Sequence, residues 1–177
     1  MLKLVVSLLI VVMIINPALA SSPPAPHFIK KSVPEAQLVG QAHLTYMTLS
    51  VYNAYLYAPR GKLTTERPLA LKLNYLRSLK GKTIADISIE EIRDQGFNNE
   101  VTLAAWHNKM LAIFPDVQNG TELTGVLNEE GTTIFYKDGS EIGRISDPSF
   151  SKQFFSIWLG SKTSEPEMRK NLLNIEG

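Results

Sequence analysis

Between Asp147 and Gly160 the apolar positions recur at helical spacing, with Phe150, Phe154, Ile157 and Trp158 at i, i+4, i+7 and i+8 along one face. Asp147 carries the side chain of a helix N-cap, Pro148 suits the first helical position and Gly160 ends the run, so the pattern predicts one helix. Each aromatic ring brings about 150–250 Å² of surface that wants burial. The helix therefore reads as a structural clamp on a broad apolar surface, and the strand-like segments before it are the candidates for that surface.

Those segments have a different period. Leu38 to Tyr57 is rich in β-favouring residues, among them Thr45, Tyr46, Val51, Tyr52 and Tyr55. It predicts either one long bent strand or two with a bulge near Thr48 to Ser50, ended by a turn at Ala58-Pro59-Arg60-Gly61. Leu69 to Tyr75 alternates cleanly, with Leu69, Leu71, Leu73 and Tyr75 on one face and Lys72 and Asn74 on the other, as a half-buried strand does. After a turn at Lys80-Gly81-Lys82, Ile84, Ile87 and Ile92 predict a short helix reaching Gln95-Gly96. Leu103, Trp106, Met110 and either Ile113 or Phe114 stripe a second helix from about Asn99 to Phe114, stopped by Pro115. The pattern then returns to strands at Glu122 to Leu127, Thr132 to Lys137 and Glu141 to Ile145, the last two joined by the hairpin dipeptide Asp138-Gly139. A final helix starts at the capping-box spacing of Ser164-Glu165-Pro166-Glu167 and runs through Leu172-Leu173. This order predicts an α+β fold, a largely antiparallel sheet with a layer of α-helices on one face.

The N-terminus stands apart. Lys3, the apolar run from Leu4 to Ile15 and the small-x-small pattern Ala18-Leu19-Ala20 read as a signal peptide over residues 1–20, cleaved after Ala20. The run is too short to be read as a retained membrane anchor. Ser21-Ser22-Pro23-Pro24-Ala25-Pro26 opens a flexible leader over residues 21–37, and 38–177 form one domain. The expected location is the periplasm or the exterior, and with no cysteine the mature chain depends on a packed core rather than on disulfides.

Charge narrows the partners. The chain has 18 Lys and Arg, one of them Lys3 in the signal, against 17 Asp and Glu, so the mature protein is near neutrality. Nothing in that balance points to nucleic acid or to an anionic membrane surface. Gly81-Lys82-Thr83 resembles the tail of a phosphate-binding loop, but Leu76 stands where the motif requires glycine. His27, His43 and His107 lack the spacing that places two imidazoles on one metal, so neither a metal nor a cofactor is expected. The candidate site is instead aromatic and basic. Tyr46, Ser50 and Tyr52 share parity on the long β segment, Tyr75 ends the alternating strand and Arg77 follows it. Such a set suits a small-molecule cleft, in which aromatic walls carry a few polar groups; it equally suits core tyrosines and a solvated arginine paired with Asp86, Glu90 or Glu91.

The order of elements, together with Tyr55-Leu56-Tyr57, Leu79-Lys80-Gly81-Lys82, Phe135-Tyr136-Lys137-Asp138-Gly139-Ser140 and Phe154 to Gly160, resembles the chalcone isomerase family and in particular its small exported bacterial branch. The resemblance spans about Leu38 to Leu173 and implies a ligand cleft between sheet and helices. Plant members cyclise a chalcone without a cofactor. Their catalytic positions fall here near Leu38 for the arginine, at Ser50 for the strand threonine, at Ile84 and Glu91 for the tyrosine and asparagine, and at Ile157 for the late threonine. One hydroxyl survives, so no catalytic residue is assigned. Other members bind fatty acids without turnover. The expectation is an exported, non-catalytic protein that binds a small apolar or fatty-acid-like ligand through Tyr46, Ser50, Tyr52, Tyr75 and Arg77. The alternatives are a cofactor-independent isomerase of the intramolecular lyase type and an interaction module for another envelope protein.

Overall fold

The computed structural model describes residues 23–175, so the expected signal peptide over residues 1–20 lies outside the described residues. The elements run α1 (His27–Lys30), β1 (Ala36–Tyr46), β2 (Leu49–Pro59), β3 (Leu69–Tyr75), α2 (Gly81–Asp94), α3 (Glu100–Ile113), β4 (Glu122–Leu127), β5 (Thr132–Lys137), β6 (Ser140–Ser146), α4 (Pro148–Leu159) and α5 (Pro166–Leu173). Among the described residues the six strands form one sheet in sequence order, and every neighbouring pair is antiparallel. Helices α2 to α5 cover one face, so the fold is the expected α+β arrangement.

Period two decides what each face carries. Ala54 and Leu56 of β2, Leu69, Leu71 and Leu73 of β3 and Phe135 of β5 point into the main core beneath the helices. The residues between them, Tyr57, Ala70, Val126, Ile134 and Tyr136, make a second apolar layer on the opposite face. That second layer corrects one expectation. Much of the segment expected to be flexible leader is packed, with α1 and the turn after it laying Ala25, Ile29, Val33 and Ala36 on the back of the sheet. Those residues recur every three or four positions, and an antiparallel sheet apolar on both faces needs a cover on each.

The long β segment is two strands, separated by a tight turn at Met47-Thr48 in which Met47 takes φ +57°. The irregularity expected near Thr48 to Ser50 sits slightly later. Leu44 pairs with Tyr52 and Thr45 with Ser50, leaving Val51 as the extra residue of a bulge. At the other end, Val39 is the extra residue where β1 passes under α5, and there the Asn171 and Leu172 carbonyls lie directly over Gly40.

Helix α4 starts as its sequence predicts. Asp147 Oδ1 accepts the amides of Ser149 and Phe150, while Oδ2 accepts the indole N–H of Trp106 at 2.9 Å, fixing α4 to α3. A buried hydroxyl pair adds a second tie, with Thr133 on β5 and Ser151 on α4 2.7 Å apart and Ser151 donating to the Gly131 carbonyl. Hydrogen-bonded in this way, neither hydroxyl is left unpaired in the core.

Candidate functional site

Sheet and helical layer do not meet everywhere. Between them lies a cavity of ≈ 620 Å³. Its floor is laid by the strands, with Leu44, Tyr52, Leu71, Leu73 and Tyr75 among its residues. The roof comes from Ile84, Ile87 and Ser88 of α2, Phe154, Phe155 and Trp158 of α4, and Met168 of α5. The volume falls within the range of about 300–1,000 Å³ of small-molecule sites, and the walls are mostly apolar as in such sites. Among the described residues no group of His, Asp or Glu is arranged to hold a metal ion.

Four of the five expected binding residues border this cavity, and Ser50 does not. The Val51 bulge is the cause. An extra residue reverses the side on which the following positions project, so Tyr52 turns toward the cavity and Ser50 turns away. Ser50 instead lies 3.0 Å from His43 Nε2, whose Nδ1 is 2.7 Å from Asn53 Oδ1, in an exposed row across β1 and β2. Tyr46 borders the cavity at the end of β1 and is 69% exposed, so it belongs to the mouth. Arg77 is half-buried on the wall and forms no ion pair among the described residues; the partners Asp86, Glu90 and Glu91 considered for it are not engaged.

Tyr52 and Tyr75 form the polar feature of the interior. They pair across β2 and β3 with rings edge to face, centroids 5.7 Å apart. Trp158 donates its indole N–H to Tyr52 Oη at 2.9 Å, tying α4 to the sheet across the cavity wall. Burial pushes both phenols well above the usual phenol range; for Tyr52 the Trp158 hydrogen bond opposes the rise, and the nearby carboxylates of Glu165 and Glu91 add to it. Both are therefore neutral O–H groups at physiological pH, suited to donating a hydrogen bond and unsuited to acting as a general base.

Two features of the wall were not anticipated. The sequence pattern makes helix α4 a clamp, yet Phe154, Phe155, Ile157 and Trp158 also line the cavity. Adjacent Phe154 and Phe155 were the available signal, because neighbours on a helix point about 100° apart and so widen the apolar face beyond a single stripe. The carboxylates of Glu90, Glu91 and Glu165 border the cavity as well, whereas the sequence offers Glu90 and Glu91 only as partners for Arg77 and Glu165 only within a capping box. A second hollow of ≈ 310 Å³ between α2 and α3 holds Asp86, Arg93, Glu100 and His107. Its charges are used internally, with Arg93 on Glu100 at 2.9 Å and His107 on Asp86 at 2.7 Å. Hydrogen bonds from Lys82 and then His107 lower the Asp86 carboxyl below its ordinary value.

A family model described as chalcone isomerase-like matches residues 29–174. The chain belongs to the chalcone isomerase-like family. An uncharacterized protein of Haemophilus influenzae is 29% identical over 139 residues, covering 77% of this chain and 67% of that protein. The crystal structure of an Arabidopsis thaliana fatty-acid binding protein superposes with a TM-score of 0.62 at 10% identity, covering 80% of this chain and 88% of that one. At that identity the likeness establishes the fold. Within this chalcone isomerase-like frame, the positions matched to the plant catalytic set scatter. Ile84, Glu91 and Ile157 line the cavity, Ser50 lies outside it, and Leu38 packs with the second layer on the far face of the sheet.

Proposed function

We propose that this protein binds a small apolar or amphiphilic molecule, a fatty acid or a lipid of similar size, in the cavity between sheet and helices and holds it without chemical turnover. The observation that carries the reading is the cavity itself, ≈ 620 Å³ of space walled mostly by aliphatic and aromatic side chains between the sheet and the helices. Tyr52, Tyr75 and Arg77 are the groups available to a polar end, and Tyr46 borders the opening. Their chemistry supports the reading without turnover. The two phenols are held neutral by burial, and the positions matched to the family's polarising residues bring no hydroxyl or amide to the wall. Export to the periplasm or the exterior, inferred from residues 1–20, belongs to the same proposal.

The test is native mass spectrometry and solvent extraction of protein purified from its own host, followed by melting of the stripped protein with single-chain amphiphiles. A co-purifying lipid, or a rise in Tm with chain-length dependence, is the expected result. A protein that is recovered empty and does not shift with any amphiphile, whatever its charge, overturns the reading. N-terminal sequencing of the envelope-fraction protein should begin at Ser21.

A further inference from the structure

The polar lining of the cavity is not neutral in its arrangement. Tyr52 Oη already accepts the Trp158 N–H, so its own O–H must find an acceptor elsewhere, and it has none among the described residues. Tyr75 is 3% exposed, borders the same cavity, and its hydroxyl makes no hydrogen bond among the described residues. Two phenols thus border a mostly apolar space with no acceptor for their O–H groups among the described residues. A phenolic O–H with no protein acceptor is free to donate, so the arrangement suits an incoming oxygen with free lone pairs.

Charge around the same space is unequal. Among the described residues Arg77 is the one cation on the wall, against the carboxylates of Glu90, Glu91 and Glu165, and none of the three carboxylates forms an ion pair there. Glu91 is held in place by the Ser164 hydroxyl at 2.8 Å, one residue before Glu165. Glu165 and Glu91 are the carboxylates that disfavour a negative charge on the Tyr52 oxygen, and an anionic oxygen docked against that phenol would meet the same field.

We propose that the polar end of the bound molecule is an uncharged hydrogen-bond acceptor of the ester or ketone carbonyl class, held by Tyr52 and Tyr75 beneath a net negative mouth. This rests on the cavity-binding reading above and selects, among the amphiphiles that reading admits, the uncharged ones over the ionised acid. It assigns Glu91 and Glu165 as specificity-determining residues and the two phenols as the direct contacts.

The experiment compares methyl dodecanoate with dodecanoate, which share chain and carbonyl and differ in charge, by displacement of a fluorescent apolar probe from the stripped full-length mature protein near pH 8. An ester leaves water more readily than a carboxylate, so the decisive readout is how the ratio of affinities changes in E91Q/E165Q. The double variant should strengthen dodecanoate by at least about fivefold while changing the ester by much less. Tyr75→Phe should weaken the ester, with unchanged melting of the empty protein showing that the fold is intact. Dodecanoate binding that is unaffected or weakened in E91Q/E165Q, or ester binding that is unaffected in Tyr75→Phe, overturns the proposal. If neither molecule displaces the probe in any variant, the cavity-binding reading falls and takes this inference with it.

Discussion

Asp147 divides its two oxygens between two tasks, Oδ1 taking the first amides of α4 and Oδ2 the Trp106 indole, and both depend on the carboxylate being ionised. Burial pushes its carboxyl up, but the hydrogen bonds from Trp106, Phe150 and Ser149 and the charge of Lys109 outweigh this and leave it below the ordinary 3.8. A carboxyl lowered in the folded state contributes stability above its unfolded pKa and loses that contribution as pH falls through the folded value. Urea unfolding should therefore show Asp147→Ala less stable by about 2–3 kcal/mol at pH 7, with the gap narrowing steadily below about pH 4. A gap that does not change with pH would assign the loss to packing alone. Trp158 has an equivalent role at the other end of the same helix, with its ring against Phe154 and its N–H on Tyr52. Trp158→Ala should cost about 3–5 kcal/mol, whereas Trp158→Phe keeps much of the ring volume and should cost about 1–2 kcal/mol; thermal or urea melts of the two variants separate the packing from the hydrogen bond.

At the scale of elements, close approach explains two positions that have no role in the cavity. The carbonyls of Asn171 and Leu172 sit where a side chain at position 40 would start, the Leu172 oxygen at 2.5 Å, so glycine lets α5 lie on β1. Gly40→Ala should force α5 outward and cost about 1–3 kcal/mol in denaturant, with hydrogen exchange rising first in α5. On the opposite face, Ile29 is fully buried beneath the N-terminal turn, and Ile29→Ala should cost about 2–5 kcal/mol. A cost near zero would mean that α1 does not hold the second apolar layer in solution. These elements also show what the sequence makes legible. The alternation of Leu69 to Tyr75, the Asp147-Pro148 start and the Asp138-Gly139 turn each carry a local chemical signature, and the structure follows all three. The turn at Met47-Thr48 has neither glycine, proline nor asparagine, so nothing local marks it. The Val51 bulge that sends Ser50 to solvent is likewise a product of pairing between strands, invisible in one strand read alone. Ala25, Ile29 and Val33 did carry a periodic signal, but a proline-rich start obscured it.

For the whole molecule the cavity is a cost as well as the proposed site, because space left between the layers forfeits contacts that a packed core would make. The family resemblance implies such a cleft, but the hydrophobic pattern does not show it, since it depends on how far α2, α4 and α5 stand from the sheet rather than on any one residue. Occupation restores those contacts, so folding and binding are linked: a ligand that binds only the folded protein stabilises it in proportion to the logarithm of its concentration over its Kd. At a free concentration one hundred times Kd the gain is about 2.7 kcal/mol, which for a domain of this size corresponds to a rise in Tm of roughly 5–10 °C. Calorimetry across a concentration series should show that logarithmic dependence. Leu73→Trp, placed on the cavity floor, should raise the Tm of the empty protein or leave it unchanged while abolishing the ligand-dependent shift. The opposite outcome, a floor substitution that leaves the shift intact, would place the bound molecule somewhere other than between sheet and helices.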